Sequence, residues 1–263
     1  MLTAITRRVS PCIENCNLTF LARHPIDIAK ACQQQRAYED CLRRLGVRVV
    51  SLPPEPELPD AVFVEDTAVV VKELAVVAKM GGAKRQLEVP SLTIVLSSYR
   101  PLKFLNHSST LEGGDVVHVG RTLYVGVSGR TNREGVMQLS EILKPYDYQV
   151  RPVEVRGCLH LSTGCSYAGP DTILANPDWV DTSQFEGLDV LAVPPTEPWA
   201  ANTLFINGVT VVGGAYPKTR ELLEGRGLKT ESVDISELEK AEAGLTCLRL
   251  IFDSDDPKEH YEG

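Results

Sequence analysis

Glu112, His160 and Cys247 stand far apart in this sequence, yet together they hold the groups that nucleophilic catalysis needs. A thiol attacks once it becomes a thiolate, an imidazole can carry the proton, and a carboxylate can orient the imidazole. Each also has a plainer reading. A cysteine opening an apolar run is often core filler, His160 between Leu159 and Leu161 fits a core histidine, and Glu112-Gly113-Gly114-Asp115 fits a turn. Their spacing argues for more. Glu65, Glu112, His160, Asn202 and Cys247 each head a pair of short valine-rich runs, at intervals of 47, 48, 42 and 45 residues (65 to 112, 112 to 160, 160 to 202, 202 to 247). Leu18 lies 47 residues before Glu65. A period of this size marks a repeated supersecondary unit, and five such units in a ring would bring the five heads to one central axis.

Other charged residues suggest what the set acts on. Asp60, Glu65 and Asp66 crowd an otherwise apolar segment, Asp60 to Val70. Like charges buried at that density cost several kcal/mol unless a cation neutralises them. A guanidinium suits them, being planar, permanently charged and forked in its donors. Carboxylates gripping its nitrogens would concentrate positive charge on the central carbon, where a thiolate can attack. Arg85 and Arg130 offer the complement, sites for a carboxylate, though either also fits a surface charge.

The elements that must position these residues follow from the pattern. Strands are expected over Ala61–Val71, Leu74–Lys79, Asp115–Val119, Thr122–Val127, Leu159–Ser166, Thr172–Ala175, Thr203–Ile206, Val209–Val212 and Cys247–Phe252, with Asn207-Gly208 as a two-residue hairpin turn. Helical periodicity covers Ile28–Leu45, with Asp27 as N-cap and Gly46 as stop, then Thr131–Leu143, Pro217–Leu223 and Ser236–Ala243. The fold expected is α/β, a ring of ββαβ-like repeats over residues 1–263 as a single catalytic domain.

Composition narrows the partners. With 43% hydrophobic and 24% charged residues the chain is globular rather than disordered. A net charge of −8 disfavours nucleic acid, and the one dense basic cluster, Arg43, Arg44 and Arg48, falls where a helix end accommodates it. No run is long enough to span a bilayer, and the first residues lack the apolar core of an export signal, so a cytoplasmic protein with reduced thiols is expected. Seven cysteines without a C-x-x-C pair, and the absence of a phosphate-loop or dinucleotide signature, predict no metal and no cofactor. The expected partner is a small guanidino amino acid. The sequence leaves oligomeric state open, including a homodimer.

In Leu58-Pro59-Asp60-Ala61-Val62-Phe63-Val64-Glu65-Asp66-Thr67, Thr110-Leu111-Glu112-Gly113-Gly114-Asp115, Gly126-Val127-Ser128-Gly129-Arg130-Thr131-Asn132, Cys158-Leu159-His160-Leu161 and Leu245-Thr246-Cys247, the chain resembles the dimethylarginine dimethylaminohydrolases of the guanidino-group-modifying (pentein) superfamily. The resemblance implies a five-bladed pseudo-symmetric α/β propeller. It implies Cys247 as nucleophile, His160 as acid and then base, and Glu112 orienting His160. Asp60, Glu65 and Asp66 would hold the guanidinium, and Arg85 and Arg130 the α-carboxylate. The backbone carbonyls of Leu18 and Ala241 would accept from the α-amino group. The products would be citrulline and dimethylamine or methylamine. Three departures stand out: Lys79–Arg85 lacks prolines, Leu161-Ser162-Thr163 replaces a lysine and serine, and Arg249 stands where serine is expected. The residues also leave room for a deiminase acting on unmethylated arginine, an amidinotransferase, or a non-catalytic arginine-binding protein.

Overall fold

Antiparallel strand pairs recur five times, four joined by short turns and the fifth formed by the two ends of the chain, and a third, parallel strand extends each. The structure is a computed structural model that describes residues 1–106 and 108–254. The first unit contributes β1 (Leu2–Arg7), α1 (Ile28–Arg44) and β2 (Arg48–Leu52). The second contributes β3 (Ala68–Val70), β4 (Ala75–Val77), α2 (Val89–Ser97) and β5 (Leu102–Phe104). The third is β6 (Val116–Val119), β7 (Thr122–Val127), α3 (Arg133–Leu143) and β8 (Gln149–Glu154). The fourth is α4 (Leu161–Gly164), β9 (Cys165–Gly169), β10 (Thr172–Ala175) and β11 (Asp189–Ala192). The fifth is β12 (Leu204–Ile206), β13 (Val209–Gly213), α5 (Pro217–Gly225) and β14 (Lys229–Val233). After α6 (Ser236–Glu239), β15 (Leu250–Asp253) returns to the first unit.

Each unit forms its own three-stranded sheet, in the orders β15-β1-β2, β3-β4-β5, β6-β7-β8, β9-β10-β11 and β12-β13-β14. In every sheet the first pair is antiparallel and the second parallel. The first sheet joins both ends of the chain, with Leu2 opposite Asp253 and Ile5 opposite Leu250. Val69, Val117, Ser166, Phe205 and Ile251, one from each of β3, β6, β9, β12 and β15, line a single cavity of about 250 Å³. The innermost strands therefore surround a common axis, giving the five-bladed α/β propeller. No helix among the described residues is long and apolar enough to cross a membrane.

Local sequence explains the pieces. Asp27 accepts a hydrogen bond from the Lys30 amide at 3.0 Å and caps α1. Gly46 at φ +81 ends that helix, a conformation that favours glycine. Asn207 and Gly208 both take positive φ, 47 and 83, as the hairpin between β12 and β13 requires. Helix α3 starts at Arg133, two residues later than expected, because Asn132 caps it by accepting from the Gly135 amide at 2.8 Å.

Three expected strands begin well inside the apolar runs that suggested them. Ala61–Val71 yields strand only at Ala68–Val70, after a 3-10 turn at Val64–Thr67. Leu159–Ser166 begins with the helical turn α4, and Cys247–Phe252 begins with a 3-10 turn at Thr246–Leu248. The cause is shared: polar head residues buried at the strand entrances must turn to find hydrogen-bond partners, so the extended backbone starts after them. The helical reading of Ser236–Ala243 likewise shortens to Ser236–Glu239. Helix α2 escaped the periodicity analysis because its Val-Pro-Ser-Leu-Thr-Ile-Val-Leu-Ser sequence reads as an apolar run.

Candidate active site

The head residues fall at equivalent points, each in the turn just before an innermost strand: Glu65 before β3, Glu112 before β6, His160 before β9, Asn202 before β12 and Cys247 before β15. Around them the structure gathers Asp60, Asp66, Arg85, Arg130, His160, Ala241 and Cys247 on one small cavity of about 20 Å³, together with Asn17, Phe63, Leu159 and Glu242. That volume holds about one water molecule.

His160 is 2% exposed and shares a 2.8 Å hydrogen bond between its Nε2 and Glu112 Oε2. Its Nδ1 lies 3.7 Å from Asp66 Oδ1. Burial disfavours the imidazolium, but Asp66, Glu112 and Asp115 outweigh it and raise the ring to about 9. His160 is therefore protonated at neutral pH. The turn that follows it is fixed by Asp115, whose Oδ1 accepts from the Leu161 amide at 3.0 Å and whose Oδ2 accepts from Ser128 Oγ at 2.6 Å.

The two glycines between Glu112 and Asp115 are there for room. A Cβ on Gly114 would stand 2.5 Å from Asp66 Oδ1 and 2.7 Å from His160 Nδ1, and one on Gly113 would stand 2.0 Å from the Glu65 carbonyl oxygen. Backbone at this point packs directly on the side chains of Asp66 and His160.

Cys247 is buried, and its Sγ accepts from the Gly244 amide at 3.3 Å. Burial pushes its thiol far up, and Glu65 and Asp66 add to that. The loop carrying it is anchored by Asn202, which donates to the Ser162 carbonyl at 2.7 Å and accepts from the Thr246 amide at 3.0 Å.

Each acid of the Asp60–Asp66 segment takes its own position. Asp60 accepts from the side chain of Asn17 at 2.7 Å, and burial raises its carboxyl. Asp66 accepts from Arg85 NH1 at 2.7 Å and from the Gly114 amide at 3.2 Å. Burial works against its charge, but His160 and Arg85 hold its carboxyl below the usual range. Glu65 does not line the small cavity; it faces the axial one. It accepts from Thr246 Oγ1 at 2.7 Å and from Arg249 NH1 at 3.2 Å, while burial raises its carboxyl to about 6. Ser162 Oγ adds a contact at 3.4 Å. Two departures from the family pattern thus meet at one carboxylate: a lysine is missing near Ser162, and Arg249 supplies the cation from another blade.

Arg85 is 4% exposed and is no surface charge. Besides Asp66 it grips Glu88 with two nitrogens, at 3.1 and 2.8 Å, and its NH1 lies 3.9 Å from Glu112. Glu88, at about 7 because of burial, went unnoticed in the sequence, although the three-residue offset from Arg85 is the available signal. Arg130 NH1 lies 3.6 Å from Glu112 Oε1. Glu242 was also missed. It takes a positive φ of 62, and its Oε1 accepts from the amides of Thr19, Phe20 and Leu21 at 2.8, 2.6 and 2.7 Å. The loop bearing Leu18 is thereby pinned beside Ala241.

Asp66, Glu112 and His160 are the group among the described residues whose ligand atoms, all within 4.8 Å of one another, could hold a metal. The Arg85 guanidinium already supplies positive charge there, at 2.7 Å from Asp66.

Comparison with known proteins places this geometry. The model of the family described as N,N dimethylarginine dimethylhydrolase, eukaryotic, matches residues 18–183. The N(G),N(G)-dimethylarginine dimethylaminohydrolase of Pseudomonas aeruginosa is 32% identical over 228 residues, covering 86% of this chain and 90% of that protein. The chain belongs to the dimethylarginine dimethylaminohydrolase family. The dimethylarginine dimethylaminohydrolase of Streptomyces coelicolor is also 32% identical, over 94% of this chain and 95% of its own. A solved structure of the Pseudomonas aeruginosa dimethylarginine dimethylaminohydrolase, a cysteine-to-serine mutant complexed with citrulline, superimposes with a TM-score of 0.91 at 30% identity, covering 95% of this chain and 98% of that one. The five-bladed propeller is accordingly the pentein fold.

Proposed function

We propose that this chain, acting as a single catalytic domain, hydrolyses N-omega-methylated arginines to citrulline and dimethylamine or methylamine. The observation that carries the reading is the shared cavity: Cys247 and a protonated His160 flank Asp66, and Asp66 already grips a guanidinium, that of Arg85, at 2.7 Å. The carboxylate is built for that group.

The chemistry follows from the positions. Without substrate Cys247 is a thiol, because burial and two nearby carboxylates oppose the anion. A cationic substrate on Asp66 and Asp60 supplies the charge that stabilises a thiolate, and the thiol proton leaves to solvent as the substrate binds. The sulfur attacks the guanidinium carbon, and His160 passes its proton to the methylated nitrogen as the carbon–nitrogen bond breaks. The amine leaves and a covalent thiouronium remains on Cys247. His160, now neutral and oriented by Glu112, takes a proton from water, and the hydroxide adds to the same carbon. The carbon–sulfur bond then breaks, releasing citrulline. Arg85, still held by Glu88, and Arg130 take the α-carboxylate, and the carbonyls of Leu18 and Ala241 take the α-amino group. Glu65, neutralised by Arg249, supports the site from beneath.

Cys247→Ser tests the covalent route. The variant retains substrate binding by calorimetry and forms no citrulline; turnover by the serine variant would contradict it.

A further inference from the structure

Behind the loop that carries Cys247 lies a third cavity, of about 170 Å³. Trp199, Tyr216 and Ile235 give it aromatic and apolar walls, and Glu239, Glu242 and Asn202 give it polar ones. Among the described residues no lysine, arginine or histidine lines it. Tyr216 and Glu239 lie close enough to interact electrostatically, and burial raises both groups. A Cβ on Gly213 would stand 2.9 Å from the Tyr216 ring, so glycine there lets the aromatic wall close in. Glu242 belongs to both cavities: it lines this one and the one that holds Cys247 and His160. One of its carboxylate oxygens receives three loop amides, while the other, Oε2, is buried with no partner among the described residues.

Two carboxylates beside aromatic faces call for a cation that also carries apolar surface. A carboxylate away from water gains from a charged partner, and aromatic faces attract alkylated ammonium groups, which shed water readily. The burial that raises the Glu239 carboxyl would be offset by such an ion. We propose that this cavity binds a small alkylammonium ion, the chemical class of the amine released from Cys247's substrate, at a site separated from citrulline by Glu242. The link to the leaving amine rests on the proposed function; the binding itself does not.

Saturation-transfer NMR with dimethylammonium chloride on the wild-type protein tests the site directly. Methyl signals are expected to receive saturation, and excess citrulline should leave them bound. Glu239→Gln keeps the side-chain shape and removes the charge; it should weaken binding about tenfold or more, the scale of one lost charge-assisted hydrogen bond. Trp199→Leu, which strips the ring from another wall, should weaken it as well. No binding to the wild type, displacement by citrulline, or unchanged affinity in both variants would overturn the site. The two readings separate cleanly: citrulline formation without dimethylammonium binding removes this site and leaves the activity, and binding without citrulline formation does the reverse.

Discussion

Arg249 is the departure from the family pattern with the most calculable consequence. Its guanidinium lies 3.2 Å from Glu65 in a buried setting, with side chains 15% and 6% exposed. Replacing it by methionine keeps the length and packing of the stem and leaves Glu65 with only the hydroxyls of Thr246 and Ser162. Removing one partner of a buried pair commonly costs about 3–5 kcal/mol. Here protonation sets a lower ceiling. Glu65 already sits at about 6 against an ordinary 4.5, so the folded state takes up its proton more readily than the unfolded one. For a raised acid, stability falls as pH rises through the gap and the penalty levels off above the folded value. Losing Arg249 extends that gap upward, so the variant's extra penalty begins near pH 6 and grows with pH. At about 1.36 kcal/mol per unit, the loss is at most about 1.4 kcal/mol at pH 7 and about 2.7 kcal/mol at pH 8, and near zero at pH 5. At roughly 2–4 °C per kcal/mol for a chain of this size, the melting temperature should drop by roughly 5–10 °C at pH 8. Urea and thermal unfolding at pH 5, 7 and 8 read this out. Ser162→Lys in the Arg249→Met background should restore stability by returning a cation from the other blade. A loss equal at pH 5 and pH 8, or no loss at either, would refute the reasoning.

Glu112→Gln removes one of the carboxylates that hold His160 at about 9; the ring's NMR titration should move down by about one unit or more. His160 is a raised base, so its contribution to wild-type stability is complete below about 6.5 and is lost as pH rises through about 9; the variant should lose it at lower pH. An unmoved titration would remove Glu112 from that role. Gly114→Ala places a methyl group 2.5 Å from Asp66 Oδ1 and 2.7 Å from His160 Nδ1. Displacing these groups by even about 1 Å is worth about a hundredfold in rate, and a variant with kcat/KM within a few fold of wild type would contradict the packing described.

Chemistry-bearing residues at repeat heads were legible in the sequence because the backbone repeats: the interval of 42 to 48 residues is one blade, and the axis brings one position per blade together. Caps and hairpins were legible for local reasons, at Asp27, Gly46 and Asn207-Gly208. Tertiary pairing was not. Glu65 and Asp66 are adjacent in sequence, yet one faces the axial cavity and the other the small cavity that Cys247 and His160 line. A turn at Val64–Thr67 divides them, where the apolar run suggested a strand. The crowded acids suggested a guanidinium substrate; the guanidinium partners in place are the chain's own Arg85 and Arg249. Glu88 and Glu242 carry no motif; they became visible only through the arginine and the loop amides that they hold.

The most direct test of the account is citrulline release, measured side by side with asymmetric dimethylarginine, monomethylarginine and arginine. The account predicts citrulline from both methylated substrates and little from arginine. Citrulline mainly from arginine would make the chain a deiminase on the same scaffold, and no citrulline from any of the three would contradict the proposed function.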